Sequence, residues 1–332
     1  MRRQRWFAIG PVLAVLAILL ASCGGDDGGG STATSAGGNA EASKPATLNV
    51  GVIPIADVAP LYLGQEKGFF KQENLTIKPQ LAEGGAAIVP AVLSGDDQIG
   101  FSNTTSLIIA SSKNVPVQII SQGVVGGASK DKAWDAVLVK KGGSIKSPED
   151  LEGKRIAVNT LQNVGPLTIN TALKARGVDY TKVKYVEVPF PDMNAALKAG
   201  RVDAAWVVEP FVTAGKGMDQ QPILYPYEET EPNLTVATYF ASKQYIASNG
   251  DVVERFVRAM NKSLEYAQSH PDEVRKVVLT YTKIPPPAAE AMSLPQWTAD
   301  LGRPTIEKTA QLAKEYGFVK EEPNLDDLIH QP

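Results

Sequence analysis

Ala91-Val92-Leu93-Ser94-Gly95-Asp96-Asp97-Gln98-Ile99-Gly100-Phe101 and Ala196-Leu197-Lys198-Ala199-Gly200-Arg201-Val202-Asp203-Ala204-Ala205-Trp206 carry one pattern twice, roughly 105 residues apart. In each copy a helical end gives way to a glycine, a short polar turn and an apolar run. Gly95 and Gly200 fall where a helix C-cap needs a positive φ, which glycine adopts without a Cβ clash. The runs behind them are short and apolar, as strands covered by helices on both faces should be.

Outward from this pair the two halves keep step. Leu48 to Ile53 reads as a strand followed by a helix over 59–72, and Lys154 to Asn159 as a strand followed by a helix over 164–176. Second strands over 75–81 and 183–188 lead to helices over 86–94 and 193–199. Each half is thus β-α-β-α-β, and right-handed crossovers make each a doubly wound sheet. Two unrelated tandem α/β domains are the alternative. Against them, Asp135 to Lys140 and Thr235 to Ser242 also read as strands, so that two crossings between the halves would form a two-stranded hinge. C-terminal helices then return to the first lobe: one capped by Asp251 with Val252, Val253, Phe256, Val257, Met260 and Leu264 in a stripe, one opened by Pro271, and one over 304–316. Ile284-Pro285-Pro286-Pro287 reads as a rigid break between them. The expected fold class is α/β with two doubly wound lobes, 47–135 plus 237–332 and 136–236.

The N-terminus has its own logic. Arg2, Arg3 and Arg5 precede an apolar stretch, Trp6 to Leu20, too short for a membrane span, and Leu20-Ala21-Ser22-Cys23 follows. This resembles the bacterial lipoprotein signal, which implies cleavage after residue 22 and lipidation of Cys23. A plain secretory signal or anchor and a twin-arginine signal are the alternatives. Residues 23–46 are Gly, Ser, Ala and Thr with hardly a large apolar side chain, and read as a disordered tether.

Composition excludes several functions. With 33 Lys and Arg against 36 Asp and Glu the formal charge is −3, and no basic stripe points to nucleic acid. Cys23 is the sole cysteine, so the body has neither a disulfide framework nor a thiolate metal site. The two histidines, His270 and His330, stand at a helix end and beside the C-terminus, which argues against histidine triads and His-based zinc sites. No catalytic residue, cofactor or metal is expected.

At Ala59-Pro60-Leu61-Tyr62-Leu63-Gly64-Gln65-Glu66-Lys67-Gly68-Phe69-Phe70, Leu93-Ser94-Gly95, Ile145-Lys146-Ser147-Pro148-Glu149-Asp150-Leu151-Glu152-Gly153-Lys154 and Val207-Val208-Glu209-Pro210-Phe211, the chain resembles the solute-binding lipoproteins of ABC importers. The likeness is to the nitrate/sulfonate/taurine group related to thiamine-pyrimidine-precursor binders, over about residues 48–280. The resemblance implies the type II periplasmic-binding-protein fold, closure on one small ligand, an ABC permease as partner, a lipid anchor at the outer face of the cell membrane and a monomeric body. A membrane-tethered sensor is a second reading. A pyrimidine-synthase-like enzyme that consumes its own histidine is a third, which the positions of the two histidines disfavour.

In such sheets a ligand sits beyond the carboxyl ends of the strands. The equivalent loops supply Ile55, Ala56 and Asp57; Gly84, Gly85 and Ala86; Asn103, Thr104 and Thr105; and Gln122 from the first lobe. Leu161, Gln162 and Asn163; Asp192 and Met193; and Trp206 and Glu209 come from the second. Gly84 and Gly85 allow close approach to a helix N-terminus. Asp57 and Asn163 could equally be N-caps, Trp206 core, and Glu209 a partner of Lys216. These loops hold no Arg or Lys, which weakens the case for a simple anion, though neutral hydrogen-bond donors can bind oxyanions. Glu209, with Asp192 and Asp57, would put negative charge near the cleft, and Glu209 would receive N–H groups of an amine or heterocycle, with Trp206 or Phe190 stacking. A taurine-like zwitterion suits a mixed site.

Overall fold

The computed structural model describes residues 44–331; the signal reading of 1–22, the lipidation at Cys23 and the tether up to residue 43 lie outside the described residues. Among the described residues no helix is long and apolar enough to cross a membrane. The first strand, β1 (Ala46–Val52), begins two residues ahead of the expected Leu48 and ends one short of Ile53.

The first sheet holds β1, β2 (Leu75–Leu81), β3 (Ile99–Asn103) and β4 (Val117–Val125). The second holds β5 (Asp135–Lys140), β6 (Arg155–Val158), β7 (Lys184–Glu187), β8 (Ala204–Val208) and β9 (Gln220–Leu224), and β10 (Thr235–Ser242) returns to the first. The spatial orders are β2-β1-β3-β10-β4 and β7-β6-β8-β5-β9. β1 runs parallel to β2 and β3, and β6 parallel to β7 and β8. In each sheet the strand that arrives from the other half, β10 or β5, lies antiparallel to both neighbours. The duplication in the sequence is therefore a duplication of sheet topology.

Both expected crossing strands form, but in opposite sheets, so they do not pair with each other. The crossing runs ahead of them. Gly126 donates its N–H to the Leu234 carbonyl at 2.8 Å, and Asn233 donates to the Gly127 carbonyl at 3.4 Å. Two short segments tied by these bonds form the hinge.

The helix expected over 59–72 breaks into Ala59–Glu66 and Phe69–Gln72, because Gly68 takes a left-handed φ of 73° between them. Asp251 is not the cap of the long C-terminal helix. That helix runs Gly250–Ser269 with Asn249 at its N-cap, while Asp251 pairs with Arg255 at 2.9 Å in the first turn. The triple-proline segment includes a short helix, Pro286–Ala291, since proline fits a first turn.

Close approach decides how the helix Gly85–Ser94 seats on the first sheet. A Cβ on Gly100 would lie 2.6 Å from Ile88 Cγ2 and 2.6 Å from Phe240 Cε1, and one on Gly51 2.5 Å from Ile88 Cγ2. Gly100→Val is expected to lower stability by about 1–3 kcal/mol through overpacking, read as a lower urea midpoint at an unchanged m-value.

Candidate functional site

A small cavity lies beyond the carboxyl ends of the parallel strands, walled by both lobes. Ile53, Ile55, Asp57, Phe101 and Asn103 line it from the first lobe, and Asn159, Asn163, Phe190, Trp206 and Tyr227 from the second. Its volume is about 30 Å³, against roughly 10–15 Å³ for one water, so it admits only a few heavy atoms. The lobes touch around it. Ala56 donates its N–H to the Glu209 carbonyl at 3.0 Å. A Cβ on Gly84 would lie 2.8 Å from Thr160 Oγ1 and 3.0 Å from Asn159 Nδ2, so the bare glycine backbone lets the two rims meet.

Asp57 is the unusual group. It follows Ile55 in a short 3-10 turn and caps no helix. Its residue is 3% exposed, and Oδ1 has no hydrogen-bond partner. Burial pushes its carboxyl up to about 8, countered only by its own backbone N–H. Its charge also raises the buried hydroxyls of Tyr227, Tyr239 and Tyr281, after the larger effect of their own burial.

The two asparagines are helix caps as well as cavity wall. Asn103 Oδ1 accepts the Ser106 N–H at 2.9 Å, and Asn163 Oδ1 accepts the Gly165 N–H at 3.0 Å. Asn163 Nδ2 donates to Asn159 Oδ1 at 2.7 Å, which fixes the orientation of both amides. Trp206, 1% exposed, is both core and cavity wall, and its indole N–H donates to Asp135 Oδ2 at 2.9 Å. Asp135 lies buried beside Glu228, whose Oε1 accepts the N–H of the hinge residue Gly127 at 2.8 Å. Burial drives Asp135 well above the carboxylate range and Glu228 to about 7.

Other expected residues stand elsewhere. Glu209 does not line the cavity. Its carboxylate, fully buried, accepts from the Thr213 N–H at 3.0 Å, the Thr213 hydroxyl at 2.7 Å and the Ser293 N–H at 3.2 Å, and Lys216 contributes only a weak attraction. Burial still pushes that carboxyl upward. Gln122 is equally engaged: Nε2 donates to the carbonyls of Asp300 and Leu301 at 3.0 and 3.2 Å, and Oε1 accepts the Gly123 N–H at 3.0 Å. Thr104 donates to the Thr235 carbonyl at 2.9 Å, Thr105 is buried without a hydroxyl partner, and Met193 is core. Gly85 packs on Ser102, while Ala86, Leu161, Gln162 and Asp192 are exposed. Asn159 and Tyr227 belong to the wall but were not among the expected residues. Asn159 ends the second lobe's first strand in the sequence and could have been matched with Ile53, which also lines the cavity, whereas Tyr227 sits in a helix outside the repeat.

Neither described histidine is near this site. His270 stacks on Tyr266 with ring centroids 3.7 Å apart, and the backbone N–H of His330 donates to the Ile119 carbonyl.

Comparison with known proteins agrees with this architecture. The taurine-binding periplasmic protein of Escherichia coli is 30% identical over 230 residues, 68% of each chain. The formylaminopyrimidine-binding protein of Halalkalibacterium halodurans is 25% identical over 277 residues, covering 80% of this chain and 77% of that protein. The solved alkanesulfonate-binding protein SsuA of Xanthomonas axonopodis pv. citri superposes with a TM-score of 0.71 at 19% identity over 85% of this chain and 96% of that one, which shows the periplasmic-binding-protein fold. The model of the family described as NMT1/THI5 like matches residues 55–274, and the chain belongs to that family.

Proposed function

We propose that the protein is an extracytoplasmic solute receptor that closes its lobes on a small polar ligand and delivers it, chemically unchanged, to an ABC permease. The lobes are taken as residues 47–135 with 237–332 and residues 136–236. The observation that carries the reading is the cavity at the strand ends, walled by both lobes and reached across a two-segment hinge. The relatives named as taurine, formylaminopyrimidine and alkanesulfonate binders support the same role, with sulfonate-, taurine- or nitrate-like and pyrimidine-like solutes as the first ligand classes to try. Ile55, Asp57, Asn103, Asn163 and Trp206 are the contacts of choice. A histidine-consuming synthase chemistry has no histidine at this cavity to draw on.

A thermal-shift screen of the full chain against sulfonates, taurine, nitrate, pyrimidines and riboflavin tests the reading. A true ligand stabilises by about 2.7 kcal/mol at a hundredfold excess over Kd, and small-angle scattering should show a smaller radius of gyration on binding. A membrane-tethered sensor would bind and close in the same way, but would not stimulate the ATPase of a reconstituted permease. The anchor is tested separately. Cys23→Ser is expected to move the protein from the membrane to the soluble fraction, and unchanged membrane retention would refute lipidation at that residue.

A further inference from the structure

We propose that the cleft is built for an amphipathic cation, its N–H-bearing head held at Asp57 and its apolar stem leaving between Ile53 and Phe190. The proposal rests on the reading of this cleft as a solute site and narrows its ligand.

Two neighbouring spaces carry the argument. The inner cavity takes only a few heavy atoms, the size of an ammonium, methylammonium or guanidinium group. An outer groove of about 310 Å³ shares Ile53 and Phe190 with it and adds Pro54, Leu81, Pro189 and Pro191. Leu81 is 62% exposed there, an apolar side chain at the mouth of a cleft with nothing over it. Ile53 and Phe190 thus set an apolar groove directly against the inner cavity, on the side where the stem of a larger solute would leave.

The ionisable groups along this side of the cleft are acids. Asp57 stands inside with a buried oxygen that has no partner, and Glu83 and Asp192 stand exposed on the groove. Among the described residues lining either space, none is Lys or Arg. The carboxamides of Asn103 and Asn163 are already engaged as caps, which leaves the Asp57 carboxylate as the strongest acceptor facing a head group. Phe101, Phe190, Trp206 and Tyr227 complete the wall with aromatic rings, whose faces attract a cation. A sulfonate would find only the protonated acid and no counter-cation, whereas an ammonium would compensate the carboxylate and supply its hydrogen bonds as the proton leaves.

Burial holds Asp57 protonated near neutrality in the closed form, with Tyr227, Tyr239 and Tyr281 as the titratable groups that feel its charge and Glu83 and Asp192 at the outer groove. Binding a cation converts Asp57 to its carboxylate and releases a proton. Affinity for a cation should therefore rise with pH up to about 8, and affinity for an anion should fall over the same range.

The test is calorimetry on the full chain with hexylammonium, butylguanidinium, methylammonium and hexanesulfonate in buffers of different ionisation enthalpy. The long cations are expected to bind with proton release, and to lose about fourfold in affinity for each methylene removed down to methylammonium. Asp57→Asn should weaken the long cations by roughly 30-fold or more, with hexanesulfonate no worse for the change. Binding of hexanesulfonate in preference to the cations, or cation binding indifferent to Asp57→Asn, overturns the proposal and leaves the receptor reading standing. Failure of these probes together with taurine, nitrate and pyrimidines overturns both.

Discussion

Asp57→Asn is expected to make the ligand-free protein more stable, and increasingly so as the pH is raised from 4 toward 8. The carboxyl of Asp57 is buried with one oxygen unpartnered, and burial raises it from the ordinary 3.8 to about 8. Between those values the folded protein keeps the proton while the unfolded chain has lost it. Raising the pH therefore favours unfolding, by about 1.4 kcal/mol per unit from this group. Asp135, Glu209 and Glu228 act in the same direction, since burial raises all three. Asp203, lowered first by its hydrogen bond from Arg155, and Glu273, lowered first by Lys67, oppose them only as the pH falls through their own depressed values. The stability maximum is thus expected at about pH 4–5, lower than is usual for a globular domain. Asp57→Asn removes one of these slopes. Urea unfolding at pH 5 and pH 8 should give a variant slightly more stable than the natural chain at the lower pH and more stable by several kcal/mol at the higher. Parallel pH profiles for the two proteins would mean that Asp57 is hydrated and that the lobes stand apart in solution.

That behaviour also explains what a ligand has to supply. A closed and empty cleft either keeps a proton on Asp57 or buries an uncompensated charge, so closure without a ligand becomes less favourable as the pH rises. A residue that destabilises the fold while remaining at the meeting point of two lobes is the usual mark of a binding group.

Local signals made the fold legible. Gly95 and Gly200 adopt φ values of 84° and 75° at their helix ends, and the apolar runs behind them become β3 and β8. These features depend on a few neighbouring residues, so they can be read without the rest of the chain. The membership of β5 and β10 in opposite sheets depends on which crossing each follows, and local pattern carries no information on that. The site divides in the same way. Ile55, Asp57, Asn103 and Asn163 lie at or beside strand ends and Trp206 lies within β8, and all are recognisable by equivalence between the halves. Gln122 and Glu209 were equally well placed by position, but partners 178 and 84 residues further along the chain engage them first. The C-terminal segment that provides Asp300 and Ser293 has no counterpart in the repeat, so nothing in the duplicated pattern warns of it. The isolation of Asp57 is a missing contact, and a missing contact leaves no trace in a sequence.

Gly165→Val is expected to disrupt the second lobe and the cleft together. Gly165 lies in the first turn of the helix Val164–Ala175, and a Cβ there would stand 2.5, 2.6 and 2.9 Å from three carbons of the Trp206 ring. The ring has little freedom to move. Its indole N–H is held by Asp135, Phe190 packs against it at 5.6 Å between centroids, and Tyr227 meets it edge-on at 5.9 Å. Either the helix N-terminus lifts, pulling the Asn163 cap away from the Gly165 N–H, or the ring shifts and leaves its donor and Asp135 without each other. Overpacking costs about 1–3 kcal/mol, and an unsatisfied buried pair adds about 1–3 kcal/mol more. Since Asn163 and Trp206 both line the cavity, ligand affinity should fall together with stability. A smaller ring separates the two causes. Trp206→Phe in the Gly165→Ala background should relieve the clash but not the orphaned Asp135, so the double variant should be less destabilised than the sum of the singles. Strict additivity would show that the helix yields freely, and that the close approach of Gly165 to Trp206 does not set the shape of the cleft.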